Sequence, residues 1–364
     1  MTDSGIKGLC VSVDDQGIQH RRVGQCKSID TLIIRHTKVT KEGIQIALEN
    51  LPLLKIFAFC LPIHILAEIF KHYRVPPHSL ADSVAKFGIV ENCENCSIAF
   101  PYKIGSLKLV ASLCSFTVTK LDLTLQRGIT DTELLGLLAL EKIRELAICS
   151  ETNVSEEITF DGGVVPILSA FGNSLKCLKI AHLKTKIDIG AIIEHCTQLS
   201  TLYLYWNESF KKRPENERPF NVKRFKVGSR EILPNLEFFY LCNAPDLKPD
   251  DFPTYYLTPL LLSPKLREFT ITTTLLTDQI LFHVVNQNQL CHLEQLTIQF
   301  CDQVTKKGIE VFLKNRNALK RIHLGNYKLL TKQVFDELES LIKKKNLEQN
   351  FFSFEMYFSS LICD

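Results

Sequence analysis

Cysteine is the residue type with the most chemistry to offer in this chain, at thirteen among 364 residues. Thiolates bind zinc, exchange disulfides or attack electrophiles, and each use demands a particular spacing or partner. Cys93-Glu94-Asn95-Cys96 is the single Cys-x-x-Cys in the sequence. A closed zinc site needs two further ligands at defined spacing, and the nearest histidines, His72 and His78, come from a preceding helix end and loop. The pair is therefore read as two thiols in a long loop, with a redox or zinc role as the competing reading. An odd number of cysteines with no secretory leader does not suit a disulfide framework either, so reduced thiols are expected. The sequence contains no Gly-rich phosphate loop, nucleophile elbow, paired-histidine zinc signature or calcium loop. The expectation is a chain that is not an enzyme and carries no cofactor and no metal. The sequons at Asn95, Asn153 and Asn207 are read as chance.

Recognition chemistry is better represented. Between residues 206 and 230, Lys211, Lys212, Arg213, Arg218, Lys223, Arg224, Lys226 and Arg230 face only Glu208, Glu215 and Glu217, a local net charge of +5 (8 − 3). Tyr203 and Tyr205 precede this basic segment, and Phe238 and Tyr240 follow it. Aromatic rings bury large area with few torsions to freeze, and Lys or Arg clusters bind carboxylate or phosphate groups. The whole chain stays near neutrality, with 43 basic against 40 acidic residues and a net charge of +3. That balance disfavours nucleic acid, which calls for a concentrated basic face. With 45% apolar and 23% charged residues and no long apolar run, the composition is globular and shows no membrane segment.

The elements that must position these residues repeat. Apolar triplets spaced three and then two apart occur at Ile29-Leu32-Ile34, Leu54-Phe57-Phe59, Val84-Phe87-Ile89, Val118-Leu121-Leu123, Ile143-Leu146-Ile148 and Leu175-Leu178-Ile180. Five more follow at Leu199-Leu202-Leu204, Leu236-Phe239-Leu241, Leu266-Phe269-Ile271, Leu293-Leu296-Ile298 and Leu319-Ile322-Leu324, with successive starts 24 to 37 residues apart. Strand side chains alternate, so the last two members of each triplet point inward and the residues flanking them point out. Eleven or twelve residues after the triplet start stands a threonine suited to cap a helix: Thr40, Thr130, Thr277, Thr305 and Thr331. Strand, turn and capped helix form a unit that cannot bury its own apolar face, so neighbouring units must stack.

This pattern is the leucine-rich repeat. The expected fold class is an α/β solenoid, a curved horseshoe of about 11–12 repeats with parallel strands on the concave face and helices on the convex one. A single domain over 1–364 is expected, with a partial capping repeat at 1–28, the basic insertion at 206–231 and a C-terminal cap at 347–364. Thr2-Asp3-Ser4-Gly5-Ile6 matches Thr40-Lys41-Glu42-Gly43-Ile44 and Thr305-Lys306-Lys307-Gly308-Ile309, which places the first repeat's strand before residue 1. That start is read either as a degenerate cap or as the remainder of a longer product. At the other end Phe352, Phe354, Met356 and Phe358 alternate as a terminal strand would.

The stretch Leu290-Cys291-His292-Leu293-Glu294-Gln295-Leu296-Thr297-Ile298-Gln299-Phe300-Cys301-Asp302-Gln303-Val304-Thr305 resembles the cysteine-containing leucine-rich repeats of F-box substrate receptors and their F-box-less relatives. The resemblance covers nearly the whole chain. It implies a protein substrate on the concave face and, where an F-box is supplied, docking to the Skp adaptor of a cullin ubiquitin ligase. No F-box precedes the repeats. Leu61-Pro62-Ile63-His64-Ile65-Leu66-Ala67-Glu68-Ile69-Phe70 looks like a first F-box helix, but it falls where the second repeat's helix belongs and is read as that helix.

The expectation is a non-enzymatic protein-interaction scaffold, a substrate-recognition component of an SCF-type ligase, in the cytoplasm with the nucleus as the alternative. A leucine-rich-repeat regulator of a small GTPase or another enzyme is the second reading. The outward positions of the strands supply Thr31, Ile33 and Arg35, then Lys120, Asp122 and Thr124, and finally the candidate binding residues Tyr203, Tyr205, Phe238 and Tyr240. With Lys211, Lys212, Arg213, Lys223 and Arg224 beside them, these residues suggest an acidic or phosphorylated protein partner.

Overall fold

Apolar alternation gives each short segment one face to bury, and the threonine that follows starts the helix that covers it. The computed structural model describes residues 1–13, 19–21, 28–34, 37–51, 54–59, 63–73, 87–91, 102–113, 115, 118–125, 128–150, 158–183, 185, 187–206, 232–243, 257–272, 275–287, 290–314, 318–325, 334, 336–338, 340–341 and 348–349. The chain divides into two compact units, Met1–Thr185 and Lys186–Asp364.

The first unit opens with α1 (Asp3–Cys10) and an antiparallel hairpin of β1 (Val11–Val13) and β2 (Gln19–Arg21). Strands and helices then alternate: β3 (Thr31–Ile33), α2 (Lys41–Asn50), β4 (Ile56–Phe59), α3 (Ile63–Tyr73), β5 (Phe87–Glu91), α4 (Ser106–Leu113), β6 (Val118–Leu125), α5 (Asp131–Leu134), β7 (Glu145–Ser150), α6 (Val165–Phe171) and β8 (Cys177–Ala181). Each strand from β3 to β8 pairs in parallel with the next. Register puts Leu121, Leu146 and Leu178 in one row and Leu123, Ile148 and Ile180 in another, and all six are buried. The helices close over these rows with Ile44, Leu66, Leu107, Leu134 and Ile167.

The second unit continues in the same order with α7 (Ile189–His195), β9 (Thr201–Trp206), β10 (Phe238–Asn243), α8 (Leu257–Leu261), β11 (Glu268–Thr272), α9 (Asp278–Asn286), β12 (Gln295–Gln299), α10 (Lys306–Lys314), β13 (Arg321–Gly325) and β14 (Glu348–Gln349). Strands β9 to β14 are again parallel neighbours. Their inner rows hold Leu202, Phe239, Phe269, Leu296 and Ile322, all buried, with Phe239 stacked on Phe269 at 5.7 Å between ring centroids.

The capping threonines do two jobs. The hydroxyls of Thr40, Thr130, Thr277 and Thr305 accept an amide hydrogen bond from their own helix, as the sequence predicts. Three threonines also donate to an aspartate one repeat earlier. Asp3 accepts from the Thr40 amide at 2.7 Å and its hydroxyl at 2.6 Å. Asp131 accepts from Thr159, amide and hydroxyl both at 2.7 Å, and Asp278 from Thr305 at 2.8 and 2.6 Å. Each aspartate is the first residue of its own helix, so one carboxylate ties two neighbouring repeats together. Glycine three residues after the threonine makes room for it. A Cβ at Gly43, Gly162 or Gly308 would lie inside the carboxylate of Asp3, Asp131 or Asp278 respectively. Spacing from the triplets misses Thr159, because it stands 16 residues after Ile143 (159 − 143). The recurring Thr-x-x-Gly finds it.

Two sequence expectations change, and the reading of the F-box-like stretch as a repeat helix holds. Register pairs Phe87 with Val118 and Ile89 with Leu121 across an irregularity after Phe87, so Phe87 is the first member of its triplet and Ile89 the second, two residues out of phase with Val84-Phe87-Ile89. One residue fewer separates first from second position in β5, and three-then-two spacing alone cannot detect that. Thr124 occupies an outward register position opposite Cys149 yet is buried at 8% exposure. Residues 63–73, which include Ile63–Phe70 of the F-box-like stretch, form α3, whose Leu66 is buried at 1% exposure in the repeat core. Such a side chain is not presented to an adaptor.

Arg35, Cys93, Cys96, the basic residues from Lys211 to Arg230, Thr331 and the strand expected around Phe352–Phe358 lie outside the described residues. At the start, Thr2 bridges Lys38 in parallel and α1 stacks as a repeat helix, with Ile6 and Cys10 buried.

Candidate functional site

On β9 to β13 of the second unit the residues flanking the buried row face away from the helices. Parallel register arranges them in rows that cross the strands. The middle row runs Tyr203, Tyr240, Thr270, Thr297, His323, and the row nearest the strand starts runs Thr201, Phe238, Glu268, Gln295, Arg321. The third runs Tyr205, Cys242, Thr272, Gln299, Gly325.

The four aromatics singled out from sequence therefore share one face. Tyr203, Tyr205, Phe238 and Tyr240 are all half-buried. Tyr203 and Tyr240 are direct cross-strand neighbours with centroids 5.8 Å apart and planes tilted by 42°. Such a tilted pair is worth about 0.5–1.5 kcal/mol beyond its buried area, so the two rings hold each other in place. Tyr205 stands opposite Cys242 and Phe238 opposite Thr201. Burial pushes the Cys242 thiol up, against hydrogen bonds from Thr272 and Tyr203. It stays protonated and works as a packing group under the rings.

The character of the face changes along the rows. Past Tyr240 the middle row drops to Thr270 and Thr297, only 4% and 8% exposed. Beside them, Glu268 accepts a hydrogen bond from the Gln295 amide at 3.0 Å. At β13 the middle row reaches half-buried His323, and the row nearest the strand starts reaches the exposed Arg321. The rule that picks out the tyrosines also picks out these later residues, although they are individually unremarkable in type. Just outside the face, Glu237, Arg267, Glu294 and Lys320 precede four successive strands and alternate in sign. Glu294 accepts from Arg267 Nη2 and from Lys320 Nζ, both at 2.9 Å, and Arg267 lies 3.7 Å from Glu237.

The first unit's outward face differs in chemistry. Lys120 pairs with Glu145 at 3.1 Å, and Asp122, Ala147 and Lys179 share a row. Thr31 and Ile33 are exposed on β3, Ile33 at 61%. The described cysteines are free thiols at positions 10, 149, 177, 196, 242, 291 and 301. Burial pushes Cys177 up to about 11 and Cys196 up to about 12, which makes neither a nucleophile at neutral pH. Among the described residues no His, Cys, Asp and Glu side chains gather into a metal-sized cluster, and no helix is long and apolar enough to cross a membrane.

No family model matches the chain, and no curated protein matches it in sequence. Solved structures do match in shape. Rad7, from the yeast Rad7–Elc1 complex, is similar at a TM-score of 0.54 and 15% identity, over 92% of this chain and 81% of that one. An internalin of Listeria monocytogenes strain 4b F2365 is similar at a TM-score of 0.49 and 14% identity, over 98% of this chain and 95% of that one. Parallel strands that each return through a helix, in repeats of this length, give the chain the α/β fold of the leucine-rich-repeat solenoids.

Proposed function

We propose that the chain is a non-enzymatic scaffold that binds a protein partner on the outward sheet face of its second unit. The observation that carries this reading is the half-buried cluster of Tyr203, Tyr205, Phe238 and Tyr240 on two adjacent strands of the outward face. Aromatic rings left partly in water gain from being covered, and aromatics are among the residues that most often dominate interface energies. The similarity in fold to Rad7, whose structure is a complex with Elc1, supports a protein-binding use of such repeats. On the finer scale, the partner is an acidic or phosphorylated segment drawn by Lys211, Lys212, Arg213, Lys223 and Arg224, and the role is substrate recognition for an SCF-type ubiquitin ligase with the F-box supplied from outside the repeats. The chain works in the cytoplasm or nucleus, where thirteen cysteines would stay reduced.

Replacing Tyr203, Tyr205, Phe238 and Tyr240 together with serine tests the face. The expected result is loss of partner capture with a melting transition close to that of the parent chain. Capture that persists refutes the site, and a collapsed transition shows that the rings are core. The ligase role is tested separately, by co-purification of tagged Skp adaptor and cullin with the full chain. Their reproducible absence would leave a scaffold with no ubiquitin link.

A further inference from the structure

Within that reading, the low floor beside the rings defines one side chain of the partner. Thr270 lies next to Tyr240 in the middle row and two residues after Glu268 on its own strand, and Phe238 is the direct cross-strand neighbour of Glu268. Thr270 and Thr297 are short and nearly covered, whereas Tyr240, Phe238 and Glu268 are half-buried around them. The result is a shallow depression with an aromatic wall and a carboxylate wall. Adjacent strands are about 4.8 Å apart, so a group seated over Thr270 meets the Tyr240 ring and the Glu268 carboxylate together.

The acceptors at this spot are unspent. Glu268 takes one hydrogen bond, from the neutral Gln295 amide at 3.0 Å, and no cation pairs with it among the described residues. Neither threonine hydroxyl has a hydrogen-bond partner among the described residues. Arg267, next in sequence, is engaged by Glu237 and Glu294. Arg321 shares a row with Glu268, but two strand spacings, about 10 Å, put it beyond the range of strong repulsion at physiological salt. A half-buried carboxylate without a cation, set beside aromatic rings, is complementary to a cation. Arginine suits it better than lysine, because the planar guanidinium stacks on a ring while its edge donates to carboxylate and hydroxyl oxygens.

We infer that the face takes an arginine side chain of the partner protein, its guanidinium stacked on Tyr240 beside Phe238 and donating to Glu268 and the floor threonines. The inference rests on the proposed binding face and adds the chemistry of one contact, an arginine within the otherwise acidic segment.

A random dodecapeptide display library panned on the full chain tests it, with Glu268→Gln and the double variant Tyr203→Ser/Tyr240→Ser panned in parallel. Enriched peptides are expected to share an arginine that lysine does not replace. Changing that arginine to citrulline, which keeps the shape and loses the charge, should weaken binding to the parent chain roughly tenfold and leave binding to Glu268→Gln nearly unchanged. The double variant should capture none of these peptides. Peptides that need the tyrosines but share no arginine, accept lysine equally, or bind Glu268→Gln as tightly as the parent overturn the inference and leave the aromatic face standing. Peptides indifferent to the tyrosines, or no enrichment at all, overturn both. Glu268→Gln keeps the shape of a half-buried surface side chain, so its result remains informative even where the tyrosine variant fails to fold.

Discussion

At the scale of single residues the firmest device is the aspartate shared between repeats. Asp278 accepts both the amide and the hydroxyl of Thr305, and Gly308 lacks the Cβ that would collide with that carboxylate. Asp278→Ala should cost about 1–3 kcal/mol, the usual penalty for stranding partly buried donors. Gly308→Ala should cost a similar ~1–3 kcal/mol by overpacking. The two together should cost clearly less than their sum, since the collision disappears with the carboxylate. Urea midpoints of the three variants decide this, and strict additivity would show that glycine serves some other purpose. Cys196 offers a second residue-scale check. Burial raises its thiol from 9.0 to about 12, so the folded chain keeps the proton while the unfolded chain releases it. The corresponding stability is fully present below pH 9 and drains away as pH rises toward 12. Cys196→Ala should flatten that alkaline decline in chemical denaturation, whatever it costs at neutral pH.

Elements were legible where the same constraint recurred. Four of the threonines placed by spacing cap helices because each helix start faces the same four unpaired amides. Thr159 was hidden by a longer strand-to-helix connection, and the phase of β5 by an irregularity after Phe87. Both are local changes in chain length that an apolar pattern absorbs without a trace. The alternating charges before β10, β11, β12 and β13 were also unread, because single charges at repeat spacing look like ordinary surface. Hydrogen bonds from Lys320 and Arg267 hold the Glu294 carboxyl below its usual range. A lowered carboxyl contributes stability above its unfolded value and loses it as pH falls through the folded one. The groups are exposed and screened by solvent, so Glu294→Gln should barely move the melting midpoint at neutral pH and moderate salt. A large drop would mean that this row of charges, rather than the buried apolar rows, sets the strand register.

For the whole molecule, repetition explains why the fold could be read and the ligand could not. Inner rows and helix caps obey a rule common to every repeat, whereas outward positions such as Arg321 and His323 answer only to whatever they meet. The basic segment shows the same limit, since charge alone does not say where Lys211 or Arg224 is held. Stacked repeats depend chiefly on their nearest neighbours, and this has a measurable consequence in the first unit. Asp131 on α5 holds Thr159, which caps the turn that leads into α6. In Asp131→Ala, amide hydrogen exchange should quicken most in α5 and in residues 159–171, less in β7 and β8, and little in α2 and β4. Loss of protection by an equal amount throughout residues 1–185 would mean that the first unit opens as one cooperative block. A graded loss would locate its stability in the interfaces between repeats, with the shared aspartates as their most sensitive points.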